Sequence, residues 1–428
     1  MNLLDFLYIP VAIVTAPAWA GKKREGWRER FGHTPPLPPR AAGKVGRVLV
    51  HGVSVGEVSA LRTIVSLLLE RGAEVVVSAT TDTGIQRARE LFGGTCAVVR
   101  YPIDFSRSVG RFLDAVRPDA VGLMELEVWP NFVKACARRD IPVGVLSGRL
   151  SERSFKGYRK LRWALGPTFS RLAFVAAQEQ DYADRFVHMG VPRERVSVAG
   201  SVKWDNAKVG EDEAPGAAQL AAELGIDRAR PLIVAGSTGP TPDGGEEAML
   251  HRMCPPGAQL LCAPRKPERF DEAAAALPGC VRRSQRPRGC APTPTPAPGD
   301  RFLLDSIGEL RQAYSLADLV VVGRSFGELF GSDPLEPVGL GKATLIGPAV
   351  ADFQSVVGAL EAAGGILRVD RDSLGPSLAF LLRDSGMRER VAARGRACIR
   401  GNQGASERNS SLLVQAVGGR SVGGREYG

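Results

Sequence analysis

RVLVHGVSVGEVSALRTIVSLLLERG, residues 47–72, sets out the basic phrase of the chain. A short β-branched run ends in a Gly/Ser turn, and Leu61, Ile64, Val65 and Leu68 then fall on one face of a helix. Ser54 and Glu57 stand in the S-x-x-E spacing of a capping box, where the two residues satisfy backbone donors at a helix start. That reading makes Glu57 a structural peg. The rival reading makes it a chemical centre, because a carboxylate held where a strand runs into a helix is placed to take a proton from a ligand.

The phrase recurs along the chain. EVVVSATT (74–81) leads through Asp82 and Gly84 into IQRARELFG, and AVGLMELE (120–127) leads into PNFVKACARRD, with Pro130 suited to a first helical turn. IPVGVLS, LAFVAAQ and VSVAG add strands. Strands alternating with helices indicate an α/β chain with a parallel, doubly wound sheet. Near Asn206 the pattern lapses into AKVGEDEAPGAAQLAAELGIDRAR (207–230), then restarts with PLIVAGST, QLLCAPR, ADLVVVG and KATLIGP. The expected layout is a separate segment over 1–22, one Rossmann-like domain over 23–206, a linker over 207–230 and a second Rossmann-like domain over 231–428. Two such domains put a cleft between the carboxyl ends of their strands, where these sheets bind ligands. Proline-rich RRSQRPRGCAPTPTPAPG (282–299) breaks the order and reads as a mobile loop outside the core.

A formal net charge of +10 points to an anionic partner. Aromatic content is 6% with no basic run interleaved with stacking rings, which argues against nucleic acid. Seven cysteines form no CxxC pair and the four histidines are scattered, so neither a zinc site nor a disulfide framework is expected. Residues 3–20, LLDFLYIPVAIVTAPAWA, are mostly apolar and meet the basic run GKKREGWRERFG. The basic run follows the apolar one, as in a membrane anchor or interfacial helix that leaves the rest of the chain in the cytoplasm.

Further motifs come in order: MELEVWPN (124–131), SGRLSERS (147–154), GSVKWDN (200–206), AGST with EE nearby (235–247), PRKPER (264–269), DSIGEL (305–310) and GSDPLEP (331–337). Together with HGVSVGE they resemble the 3-deoxy-D-manno-octulosonate (Kdo) transferases, from about the ERFG segment onward. The resemblance implies a GT-B fold of two Rossmann-like domains facing across a cleft, and an N-terminal membrane anchor. It also implies metal-independent, inverting transfer of Kdo from CMP-Kdo to the lipid A precursor, without a cofactor, at the cytoplasmic side of the inner membrane. Carried over by motif, the catalytic base falls on Glu57, and the transition-state stabilisers fall on Glu125 and Lys203. The CMP contacts fall on Pro264 and Arg265, on Ile307, Gly308 and Glu309, and on Asp333, Pro334, Leu335 and Glu336. The basic balance suits anionic donor and acceptor, and Lys156, Arg159, Lys160 and Arg162 are candidates for lipid phosphates or the bilayer surface.

Four positions depart from the family pattern. Ser332 and Asp333 replace a His and an Asn, Lys266 replaces the His of PRH, and Arg324 stands where a second Gly is usual. The expectation is that Lys266 and Arg324 offset the charge of Asp333. The departures keep two rivals open: a GT-B transferase or epimerase using another nucleotide sugar, and a catalytically weakened lipid-binding homologue.

Overall fold

The β-branched runs become strands buried on both faces, the pattern of a parallel sheet covered by helices on each side. The computed structural model describes residues 5, 25–210, 213–286, 288–289 and 300–419. They fall into two units, one of Met1–Asn206 with Asn402–Gly428, the other of Ala207–Gly401.

In the first unit, β1 (Arg47–Gly52), β2 (Glu74–Ala79), β3 (Ala97–Arg100), β4 (Ala120–Met124), β5 (Val143–Gly148), β6 (Phe174–Ala177) and β7 (Val196–Val198) form a parallel sheet in the order β3-β2-β1-β4-β5-β6-β7. The order reverses between β1 and β4. In a doubly wound sheet that switch point is where the carboxyl edge opens to a ligand. Alternation along each strand divides the core. Leu49 and Val76 join Phe112, Phe132 and Phe186 on one face, while Val48, Val50, Val75 and Val77 join Ile64, Leu68 and Leu413 on the other.

In the second unit, β8 (Leu232–Thr238), β9 (Gln259–Pro264), β10 (Val281–Arg282), β11 (Arg301–Leu303), β12 (Leu319–Val322), β13 (Ala343–Ile346) and β14 (Leu367–Arg368) are again all parallel, in the order β10-β11-β9-β8-β12-β13-β14. Its switch point lies between β8 and β12.

Three boundaries differ from the sequence reading. The connector 207–230 contains helix Ala217–Leu224, which buries Leu220 and Leu224 and packs on helix Leu310–Leu316 of the second unit. Residues 402–419 belong to the first unit. Their helix Ala405–Val417 packs on helix Arg62–Glu70, and Asn409 Oδ1 accepts from Ser147 N in β5 at 3.1 Å. The proline-rich segment begins in the sheet, since Arg282 pairs with Leu303 and Arg283 is buried, while residues 287 and 290–299 lie outside the described residues.

The expected anchor, residues 3–20, lies outside the described residues apart from Asp5. Asp5 is buried on the first unit, accepting from Ser106 N at 2.9 Å and from Asn131 Nδ2 at 3.1 Å. Among the described residues no helix is long and apolar enough to cross a membrane.

Candidate functional site

Glu57 stands in the first turn of helix Val55–Ala60, directly after β1. The strand passes close beneath it: a Cβ at Gly52 would lie 3.1 Å from Val58 N, so glycine permits the tight turn. Ser54 caps the helix, its Oγ accepting from Glu57 N at 3.4 Å and donating to Glu57 Oε1 at 3.1 Å. Glu57 Oε2 accepts from Val53 N at 2.9 Å, one residue earlier than a standard capping box places the bond. The peg is therefore real.

The chemistry is equally plain. Burial raises the pKa of Glu57 and the Val53 hydrogen bond opposes the rise, while the negative charges of Glu125 and Glu127 add to it. Glu125 immediately follows β4, across the switch point from β1. Its φ of 53° is left-handed, a conformation costing a glutamate about 1 kcal/mol or more, held here by Glu125 N donating to Leu146 O at 3.0 Å. Such strain in a polar residue at a strand end is the kind of feature that clusters at functional sites.

Glu125 and Glu127 stand two positions apart, and along a continuing strand they would share one face while Leu126 took the other. Strand alternation ends at Met124, however, and both carboxylates act on Glu57. Glu127 is thus a residue the sequence reading missed, although the ELE spacing displayed it. Burial raises its own pKa, and Trp129 Nε1 donates to it at 2.8 Å. His51 is no rival base. It is fully buried and stacked on Tyr101 with centroids 3.8 Å apart, and burial pushes its pKa down to about 3.

Lys203 follows β7, at the sheet edge, yet its loop turns back. Val202 N donates to Ser147 Oγ at 3.4 Å, and Asn206 Oδ1 accepts from Thr63 Oγ1 at 3.2 Å, on the helix that follows Glu57. Asp205 anchors the loop by accepting from Gly404 N at 2.6 Å and from Ser406 N, the start of helix Ala405–Val417. The structure thus brings Glu57 and Glu125 together and ties the Lys203 loop to the end of β5 and to helix Arg62–Glu70.

In the second unit the candidate donor residues stand on three loops at the carboxyl edge. Pro264 closes β9 and Arg265 is exposed after it, with Arg265 N donating to Thr238 O at the end of β8. Ile307, 75% exposed, and Gly308, at φ 92°, form the tip of the turn after β11. Asp333 and Pro334 precede helix Leu335–Gly339, which carries Glu336. Tyr314 ties two of them together. Burial drives its phenol pKa far up, the carboxylates of Glu336 and Asp333 drive it further, and Arg265 draws it back. Three side chains from two segments, one after β9 and one at 333–336, therefore converge around one buried ring. Gly236 of the AGST motif makes room for that ring, since a Cβ there would lie 1.9 Å from Tyr314 Oη.

The neighbouring acidic residues are structural. Glu246 accepts from the backbone N–H groups of Gly239, Arg324, Ser325 and Phe326 at 2.7–3.0 Å, fixing the turn at the β8/β12 switch point. Glu247 pairs with Arg269 through both oxygens, each at 3.1 Å. The side chain of Glu309, in the candidate CMP turn, is anchored within the fold. Its carboxylate is buried and taken up by Arg283, Arg288 and Ser306. The Arg283 hydrogen bonds above all hold it down at about 2.

The departures acquire physical reasons. Arg324 has φ 59°, the left-handed conformation that explains why glycine is usual there. Asp333 Oδ1 accepts from Leu335 N at 2.9 Å, a bond for which an asparagine oxygen serves as well. Arg265 is a cation that shares Tyr314's surroundings with Asp333. Ser332 is buried, and its hydroxyl has no hydrogen-bond partner among the described residues.

Two parallel, doubly wound sheets with polar residues gathered at their carboxyl edges define the GT-B class of glycosyltransferase. A glycosyltransferase from Rickettsia africae ESF-5 shares this fold, with a TM-score of 0.58 at 10% identity over 88% of this chain and 99% of that one. The profile described as 3-Deoxy-D-manno-octulosonic-acid transferase (kdotransferase) matches residues 25–206. The 3-deoxy-D-manno-octulosonic acid transferase of Bordetella pertussis is 32% identical over 422 residues, 94% of this chain and 95% of that protein. The transferase of the same name from Haemophilus influenzae is 30% identical over 380 residues, 86% of each. The chain belongs to the 3-deoxy-D-manno-octulosonic acid transferase family.

Proposed function

We propose that this chain transfers Kdo from CMP-Kdo to a hydroxyl of the lipid A precursor, with inversion at the anomeric carbon. Glu57 takes the proton of the attacking hydroxyl. The new bond forms from that oxygen to the anomeric carbon through an oxocarbenium-like state, and the bond to the CMP phosphate breaks, its electron pair leaving with CMP. Glu125 and Lys203 stabilise that state. Arg265 balances the phosphate charge, with the Ile307–Gly308 turn and residues 333–336 beside it.

The observation that carries this reading is the state of Glu57. A carboxylate stabilised only by a helix start would be a poor base. Burial and two like charges instead raise its pKa, which favours proton uptake. The acceptor is a lipid, and the exposed Trp163 and Leu161 stand among Arg153, Lys156, Arg159, Lys160 and Arg162, an apolar and basic surface suited to an anionic inner-membrane leaflet.

The test is incubation of purified chain with CMP-Kdo and a lipid A precursor, reading product mass, with UDP-sugars as rival donors. A mass increase of one or more Kdo units supports the reading. Turnover only with a UDP-sugar overturns it.

A further inference from the structure

We infer that Arg283 is a positioning residue for donor recognition, clamping the turn 305–309 from beneath so that its tip is presented in one shape. This rests on the reading that the turn takes CMP.

The turn needs such a device. Ile307 is largely exposed, and a Cβ on Gly308 would meet nothing within 4 Å, so the tip has no packing of its own. What holds it lies at its two flanks. Glu309 Oε2 accepts from Arg283 Nε at 3.0 Å and Oε1 from Arg283 Nη2 at 2.8 Å, a two-oxygen grip that fixes direction as well as distance. Ser306 Oγ donates to Glu309 Oε2 at 2.5 Å, closing the turn on itself. Arg283 Nη1 reaches Glu223 Oε2 at 2.8 Å, tying the clamp to helix Ala217–Leu224. On the other flank Asp305 accepts from Ser284 N at 2.7 Å and from Arg282 Nε at 2.7 Å. Consecutive residues 282–284 thus grip both ends of the turn, and Arg283 is 3% exposed, out of reach of a donor.

A buried arginine between two glutamates has a bland purpose as well, stability, so the test must separate the two. Arg283→Met is compared with Ile307→Asp, an exposed substitution that adds negative charge at the tip. Ile307→Asp is expected to raise the KM for CMP-Kdo; an unchanged KM overturns the donor reading of the turn, and this inference with it. Given that rise, Arg283→Met is expected to raise the donor KM about tenfold while kcat stays within about twofold, since misplaced binding groups weaken ground and transition states alike. A lowered melting temperature with an unchanged donor KM overturns the inference while leaving the donor reading intact. Should the methionine variant fail to fold, Arg283→Lys decides. It keeps the charge and loses the two-oxygen grip, and a rise of about threefold in donor KM supports the clamp. An unchanged KM in that folded variant overturns it.

Discussion

The two sheets share a topology, yet two groups of carboxylates at their carboxyl edges are partnered in opposite ways. In the first unit Glu57, Glu125 and Glu127 face one another, and both Glu57 and Glu127 are raised above the ordinary carboxylate range. In the second unit Glu309, Asp305 and Glu247 are each held by an arginine, and Glu309 is held down at about 2. These carboxylates of the first edge keep their proton affinity, whereas these of the second fix loops. The difference teaches that charge at a strand end is a poor guide to role until its partners are known. A carboxylate facing other carboxylates retains proton affinity, whereas one gripped by guanidinium groups is a permanent anion and a structural strut.

The largest expected effect comes from Glu57→Gln. The amide still accepts from Val53 N–H but cannot act as the base, so kcat is expected to fall by about 10³ with little change in melting temperature. Near-normal turnover, read by product mass, would return Glu57 to its peg. On the other edge, Arg269→Met leaves Glu247 buried without its cation and is expected to destabilise the second unit by about 3 kcal/mol, checked by urea unfolding. A loss no larger than that of an exposed substitution would break the contrast. Arg265→Ala removes an exposed cation and should weaken donor binding about tenfold or more, measured by calorimetry with CMP, while leaving folding intact.

The smallest effect is a displacement of a pH profile. The rate requires ionised Glu57, so activity falls as pH drops through its raised pKa. Glu127→Gln removes one of the two like charges that raise it, and the acid limb of kcat/KM should move to lower pH. A limb that stays in place would show that Glu127 does not tune Glu57. Glu309 behaves oppositely. Its folded-state pKa is depressed, so its stabilising contribution is full above the ordinary carboxylate range and is lost only as pH falls toward about 2.

Much of this was legible in the sequence because it is local. The S-x-x-E spacing announced the cap of Glu57, Pro130 announced a helix start, and the apolar runs announced strands buried on both faces. The ordered motifs singled out Glu57, Glu125, Lys203 and Arg265 as candidates. The role of Glu309 was not legible, because its partner Arg283 lies in a stretch whose prolines and arginines read as loop. Nor was the membership of helix Ala405–Val417, whose ties run from Asn409 to Ser147 and from Asp205 to Gly404 across some two hundred residues or more.

By itself, then, the sequence determined the period of each element, the caps, and the residue types delivered to the carboxyl edge of each sheet, since these depend on neighbours a few positions apart. The tertiary structure decided which carboxylates meet each other and which meet arginine. Electrostatic partners are chosen by the packing of strands and helices distant in the chain, and no local periodicity records that choice.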